Sequence, residues 1–318
     1  MQCNLPKSFS FVNNFKKYDG NPILRPHGDI AADCIFNPGA VVHGDEIAML
    51  CRCINFSEPV SKDNWSVSTI TYAHSSDGLN FKLDTKPFLC SDNDSMYKGG
   101  FEDPRLVWIE EEKLYVLTYT GVVSNKNTVG LLALSHDLKE WEFCGEVFQG
   151  RAIAITDRKI NGKYWAYYGN TSIYMAYSED LKNWELCERT AIDPRPGYFD
   201  STLCEAVSAP VINDDGILLM YNGAASGKYR SDMGERLNGF RGNVEDDCYS
   251  IGWALFDRNE PTKLIARSEK PILEPEYAYE LYGISEYTTF GNALINFNGR
   301  WYLYYGCSDT RIAVAISE

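Results

Sequence analysis

The sequence predicts an all-β protein, a five-bladed β-propeller in a single domain over residues 1–318. Three observations carry that prediction. Apolar runs of strand length alternate with Gly, Asn and Asp turns along nearly the whole chain. One unit, a hairpin followed by a third strand, a Ser/Asp turn and an aromatic that opens a fourth strand, returns five times. Radial repetition of such units leaves only short, protected edges around a central channel. A β-sandwich is the alternative arrangement of the same strands. No linker divides the chain, and residues 1–35 form an N-terminal segment expected to close the propeller.

The hairpins follow in order. Residues 39–52 give the first, two apolar runs about Gly44-Asp45. Residues 105–119 give the second about Glu110-Glu-Glu-Lys113, and residues 158–168 the third about Asn161-Gly162. The fourth spans 209–222 about Asn213-Asp-Asp-Gly216, and the fifth 293–305 about Asn298-Gly299. The third-strand units are residues 70–81, 131–141 and 173–184, with degenerate copies at 251–257 and 312–318. Asp137-Leu-Lys-Glu-Trp141 and Asp180-Leu-Lys-Asn-Trp184 are tandem copies of one turn, Asp fixing the bend and Trp opening the next strand. Two longer insertions remain, residues 88–100 and 224–249. The second is polar and reads equally as a lid or an exposed loop.

Composition narrows the function. With 318 residues the chain buries a sizeable core without staples. A net charge of −14 with no basic stripe argues against nucleic acid and against anionic membrane surfaces as partners. No basic flank leads into an apolar leader, and no run of about 18 apolar residues occurs, so a cytoplasmic protein with no membrane span is expected. Ten cysteines are scattered without a Cys-x-x-Cys pair, beside only four histidines. That pattern reads as reduced structural thiols, with no metal site and no cofactor implied. Nothing in the sequence specifies an oligomer.

Aromatic residues make up 14 % of the chain, including 21 Tyr. Tyr119, Tyr167, Tyr168, Tyr221, Tyr304 and Tyr305 lie at equivalent strand ends. Blade packing accounts for most of them, and a few rings remain candidates for a sugar platform. Carboxylates at the inner strands supply the chemistry such a platform needs. Glu102-Asp-Pro-Arg105 opens the second hairpin, where Pro104 stiffens the backbone beside Asp103. It reads either as a turn with a surface ion pair or as a rigid catalytic carboxylate. Glu205 stands among small and apolar residues ahead of the fourth hairpin, and Asp309 closes a turn after the last aromatic strand; each is otherwise a plain turn acid. Asn37 and Arg52 flank the first hairpin. Two carboxylates are the minimal apparatus for glycosidic cleavage, and a small oligosaccharide is the partner this set suits.

In this order the motifs resemble glycoside hydrolase family 130, the β-mannoside phosphorylases and β-mannosidases, over nearly the whole length. The matching pieces are Phe36-Asn-Pro-Gly-Ala40, Ser76-Asp-Gly-Leu-Asn-Phe81, Glu102-Asp-Pro-Arg105, Lys159-Ile-Asn-Gly-Lys-Tyr164, residues 216–223, residues 252–257 and Tyr304-Tyr-Gly-Cys-Ser-Asp-Thr310. The resemblance implies a five-bladed propeller. It implies Asp103 as general acid, with its proton relayed through a sugar hydroxyl. Asn37, Arg52 and Asp309 match positions that hold the sugar at the cleaved end, and Glu102, Arg105 and Asn222 join the binding set from the matching motifs.

The family divides on what attacks the anomeric carbon. Its phosphorylases bind phosphate with cations. Arg151 matches one of these, but Tyr168, Gly169 and Asn170 stand where the family carries His-Arg-Pro. A phosphate dianion needs several charge-assisted donors, so the loss argues for the hydrolytic branch. Family hydrolases invert, which requires a carboxylate base. Glu205 is the first candidate, Glu286 the reserve and Asp200 the third. In Phe290-Gly-Asn-Ala293, Asn292 replaces an acid found in many mannosidase relatives. The expected activity is an inverting hydrolase releasing mannose from the non-reducing end of β-mannosides, with β-1,2 linkages favoured. The alternatives are a β-mannoside phosphorylase, for which inorganic phosphate is co-substrate, and a non-catalytic sugar-binding propeller.

Overall fold

The computed structural model describes residues 5–26, 32–56, 66–92, 94–124, 127–226 and 248–318. Most of insertion 224–249 lies outside the described residues. The fold is all-β. A 3-10 helix at Lys7–Asn14 leads to β1 (Lys16–Lys17). A first antiparallel meander follows: β2 (Cys34–His43), β3 (Glu46–Asn55), β4 (Val67–Ser75) and β5 (Lys82–Leu83). The second is β6 (Gly100–Ile109), β7 (Leu114–Ser124), β8 (Asn127–Ser135) and β9 (Glu142–Gln149). The third is β10 (Ala154–Ile155), β11 (Tyr164–Tyr168), β12 (Tyr174–Ser178) and β13 (Glu185–Leu186).

In the fourth meander, β14 (Leu203–Ala206) and β15 (Val211–Asn213) pair with one strand, β16 (Gly216–Ala225), which pairs on to β17 (Cys248–Phe256) and β18 (Leu264–Arg267). A one-turn helix, α1 (Ala278–Leu281), precedes the last meander, β19 (Thr289–Phe297), β20 (Arg300–Cys307) and β21 (Arg311–Ser317). Its fourth strand is β1, where Lys16 pairs with Ile316 and Lys17 with Ala315. One parallel pairing, Ser68 with Gly100, joins the first two meanders into a single eight-stranded sheet.

The repeated turns have a local cause. In Ser75-x-Asp77, Ser135-x-Asp137 and Ser178-x-Asp180 the Ser hydroxyl accepts from backbone N–H groups while the Asp carboxylate caps the next two. Trp141 and Trp184 then donate their indole N–H to the carbonyls of Leu138 and Leu181. The third hairpin departs from expectation. Its first strand is Ala154–Ile155, not residues 158–160, because Ile160 and Lys163 close a tight turn on themselves about Asn161-Gly162.

Successive meanders pack face to face. Val41, Leu50 and Ile70 of the first meet Leu106, Leu117 and Leu131 of the second. Val107 and Leu132 meet Ile155 and Ala166 of the third. Tyr167 and Met175 meet Leu219 and Phe256 of the fourth. Met220 and Trp253 meet Leu303 and Ala315 of the fifth. Ile295 and Tyr304 of the fifth return to Ile47 and Met49 of the first.

Candidate active site

The innermost strands β2, β6 and β19 share one irregularity. Each slips register at a bulge, between Phe36 and Gly39, Glu102 and Arg105, and Gly291 and Ala293. A bulge adds a residue to one strand and re-aims its side chain. Asn37 and Asp103, each followed by Pro, sit there in the left-handed region at φ +44° and +49°. Both are buried, and their side chains meet: Asn37 Nδ2 donates to Asp103 Oδ1 at 2.9 Å.

Around Asp103 the charges interlock. Arg52, on β3, donates to Asp103 Oδ1 at 3.1 Å, to the Ser68 hydroxyl at 2.9 Å and to Glu102. Arg151 donates to Glu102 Oε2 at 2.7 Å and Asp103 Oδ2 at 2.8 Å. Burial would raise the Asp103 carboxyl, but Arg52, Arg151, Arg105 and the Asn37 amide outweigh it and hold it well below the usual carboxylate range. The nearby Glu205 carboxyl goes the other way, pushed up by burial and by Asp103 against the pull of Arg151 and Arg105. Asp309 is pushed up to about 6 by burial, with Asp103 and Glu102 adding to it and Arg52 opposing. Two carboxyls with opposite shifts share this cavity, and with the site empty Glu205 is the one that favours its proton while Asp103 is held ionised.

These groups line a cavity of about 270 Å³ with Asn170, Leu203, Tyr249, Ser285, Thr288 and Phe290. A second cavity of about 340 Å³ shares Arg52, Glu102, Arg151 and Asp309 with it and adds the hydroxyls of Ser66, Ser124 and Thr128. Among the described residues no group of three or more His, Cys, Asp or Glu side chains is placed to hold a metal ion.

Seven of the expected site residues therefore share one wall: Asn37, Arg52, Glu102, Asp103, Arg151, Glu205 and Asp309. The other six do not. Arg105 is buried behind it, donating to Glu205 Oε1 at 3.4 Å and to the carbonyls of Asp103, Ala206 and Val207, so it braces β6 against β14 instead of touching a ligand. Asp200 is fully buried between Arg195, Arg267 and the Tyr221 hydroxyl, which occupies its oxygens and removes it as a base. Asn222 exchanges two hydrogen bonds with the backbone of Gly291. Asn292 is fully buried and bonds only carbonyls. Tyr168 packs on Phe148 and Tyr174. Glu286 is exposed off the cavity, although Ser285 and Thr288 on either side of it face inward.

The aromatic strand ends are all buried and none lines either cavity. Tyr167, Tyr304 and Tyr305 spend their hydroxyls on Pro261, Gly78 and Glu280. The rings at the cavity are Tyr249 and Phe290, edge to face at 5.8 Å. Sequence reasoning passed over both, along with Leu203, Ser285 and Thr288.

Among the described residues no helix is long and apolar enough to cross a membrane. The family model for glycoside hydrolase family 130, described as β-1,4-mannooligosaccharide phosphorylase, matches residues 28–318. A β-1,2-mannobiose phosphorylase of Thermoanaerobacter sp. (strain X514) is 30 % identical over 95 % of this chain and 96 % of its own length. A solved putative glycosidase of Bacteroides thetaiotaomicron is 33 % identical, with a TM-score of 0.82 over 96 % of this chain and 97 % of that one. Another solved structure, 30 % identical with a TM-score of 0.84 over 98 % and 96 %, is described as showing that the family of mannoside phosphorylases contains hydrolases that target β-1,2-mannosidic linkages in Candida mannan.

Proposed function

The chain belongs to glycoside hydrolase family 130, whose matched members act on β-mannosides, and from that premise we propose that it hydrolyses β-mannosides with inversion. It releases mannose from the non-reducing end, with β-1,2 linkages favoured. The five face-packed meanders are then the blades of a single five-bladed propeller, with the site at the mouth of its channel.

One observation carries the choice of hydrolysis. The only cations among the described lining residues are Arg52 and Arg151, and each is already engaged by Glu102 and Asp103. A phosphate dianion entering this pocket would have to take them from two carboxylates, with no further cation among the described lining residues to help. Water pays no such penalty. Asp103 serves as the acid and Glu205 as the base that activates water. In the empty site Arg52 and Arg151 keep Asp103 ionised, while burial and Asp103 favour the proton on Glu205. The bound sugar must reverse both, drawing a guanidinium off Asp103 so that it can carry a proton and leaving Glu205 ionised to take one from water. The second cavity takes the leaving sugar.

Phosphorolysis is the second reading, and three curated relatives, 30 %, 30 % and 32 % identical, favour it, being phosphorylases. Incubation with β-1,2-mannobiose, with and without orthophosphate, separates the two. Hydrolysis gives free mannose at a rate that ignores phosphate. Strict dependence on phosphate with formation of mannose 1-phosphate overturns it in favour of phosphorolysis.

A further inference from the structure

Asn292 occupies the third of the three bulges, between the other two. Its Nδ2 donates to the Pro104 carbonyl at 2.8 Å and to the Asn37 carbonyl at 3.2 Å. These two carbonyls belong to the bulges that carry Asp103 and Asn37 in left-handed backbone. For a non-glycine residue that conformation is costly and persists only where the surroundings over-determine it. Two further observations show how closely the bulges are fitted. A Cβ on Gly39 would lie 2.4 Å from the Pro104 carbonyl oxygen, so β2 and β6 touch backbone to backbone there. Asn292 Oδ1 and Asn37 Oδ1 are both buried without a hydrogen-bond partner. A buried unpaired acceptor is destabilising, so Asn292 is a poor choice for stability alone.

We propose that Asn292 is a positioning residue, a two-pronged donor that holds the Asn37 and Asp103 bulges together and so aims the Asp103 carboxyl at the reacting bond. It touches no ligand. In this chain the two contacts need a donor, which the amide supplies; an ionised carboxylate here would offer only acceptors to the two carbonyls. This rests on the reading of Asp103 as the acid, and the test keeps the two apart.

The test is a double-mutant cycle on an aryl β-mannoside and on β-1,2-mannobiose, using Asn292→Ala, Asp103→Asn and the pair, with melting temperature followed for each. Expected is a loss in kcat of about tenfold or more for Asn292→Ala, with KM changed by less than about threefold, since a misaimed acid leaves sugar binding intact. In the Asp103→Asn background the second substitution should cost nothing further, because its effect runs through Asp103. Asn292→Asp supplies the discriminating profile. Protonated, its carboxyl can donate to one carbonyl; ionised, it repels both. Its kcat relative to Asn292→Ala should therefore be higher in acid and fall as the pH rises, a trend that loss of packing does not produce. Equal losses in both backgrounds, or a flat Asn292→Asp to Asn292→Ala ratio across pH, overturn the proposal. Should Asn292→Ala not fold, Asn292→Ser keeps one donor and is read the same way. If instead Asp103→Asn retains full activity, the acid assignment fails, whatever Asn292 does.

Discussion

At the scale of single residues the site is a set of carboxyls tuned in opposite directions by what surrounds them, and Asp309 gives the clearest measurable consequence. Its folded value of about 6 lies above the ordinary 3.8. The folded chain thus holds this proton more tightly than the unfolded chain does. Stability from this group is fullest below about pH 4, falls as the pH rises through 4 to 6, and stays lost above that. Asp309→Asn removes the ionisation. It should raise the melting temperature by about 2 °C or more at pH 8 and leave it nearly unchanged at pH 4. An equal shift at both pH values would mean that Asp309 carries no perturbed proton.

At the scale of elements, the bulges decide which side chains enter the cavity. Gly306 on β20 shows how little tolerance they leave. A Cβ there would lie 2.2 Å from Asn37 Oδ1, the end of a side chain and not backbone. The Asn37 backbone nitrogen, 3.2 Å away, has to give by only a few tenths of an ångström, and the Asn37 side chain swings off Asp103. Gly306→Ala should keep its fold by circular dichroism and lose about tenfold or more in kcat/KM; full activity would show the Asn37–Asp103 bond to be dispensable. The same elements explain what the sequence disclosed. Asn37, Arg52, Asp103 and Asp309 were legible because short motifs mark their turns. The repeat was legible because Asp137 and Asp180 cap identical bends. Arg105, Asn222 and Asn292 were read as ligand contacts and turned out to bond backbone carbonyls. Nothing in a linear motif says whether a polar side chain faces the cavity or the neighbouring strand; a one-residue bulge decides it. Asp200 was misread for a related reason, since Arg267, 67 positions away, is what buries it. Tyr249 and Phe290 reach the cavity through tertiary packing, which leaves no local signature.

At the scale of the whole molecule the last meander is completed by β1, and a buried ion pair secures it. Lys17 donates to Glu280 at 2.7 Å, with side chains 8 % and 0 % exposed. Glu280 also accepts from the Tyr305 hydroxyl and from the backbone N–H groups of Glu276 and Tyr277 at the head of α1. Removing one partner of such a pair strands the other charge, at a cost of about 3–5 kcal/mol. Lys17→Met should lower the unfolding free energy by about that much in urea at pH 7, and a change under about 1 kcal/mol would show that the remaining donors suffice.

The closing contact also sets a timetable. Ser317 donates its hydroxyl to the Phe11 carbonyl across 306 positions of sequence, beside the β1–β21 pairing. Closing so long a loop costs little more entropy than closing a short one, since the term grows only with the logarithm of length. The wait is the greater burden. A ribosome delivers β1 long before β21, so β1 must stay unpaired until β21 follows. During that interval the unpaired edge of β1 and the apolar side chains of Phe9, Phe11 and Val12 beside it are available to any neighbouring nascent chain. The polysome, and not the finished enzyme, is where this protein is most open to aggregation.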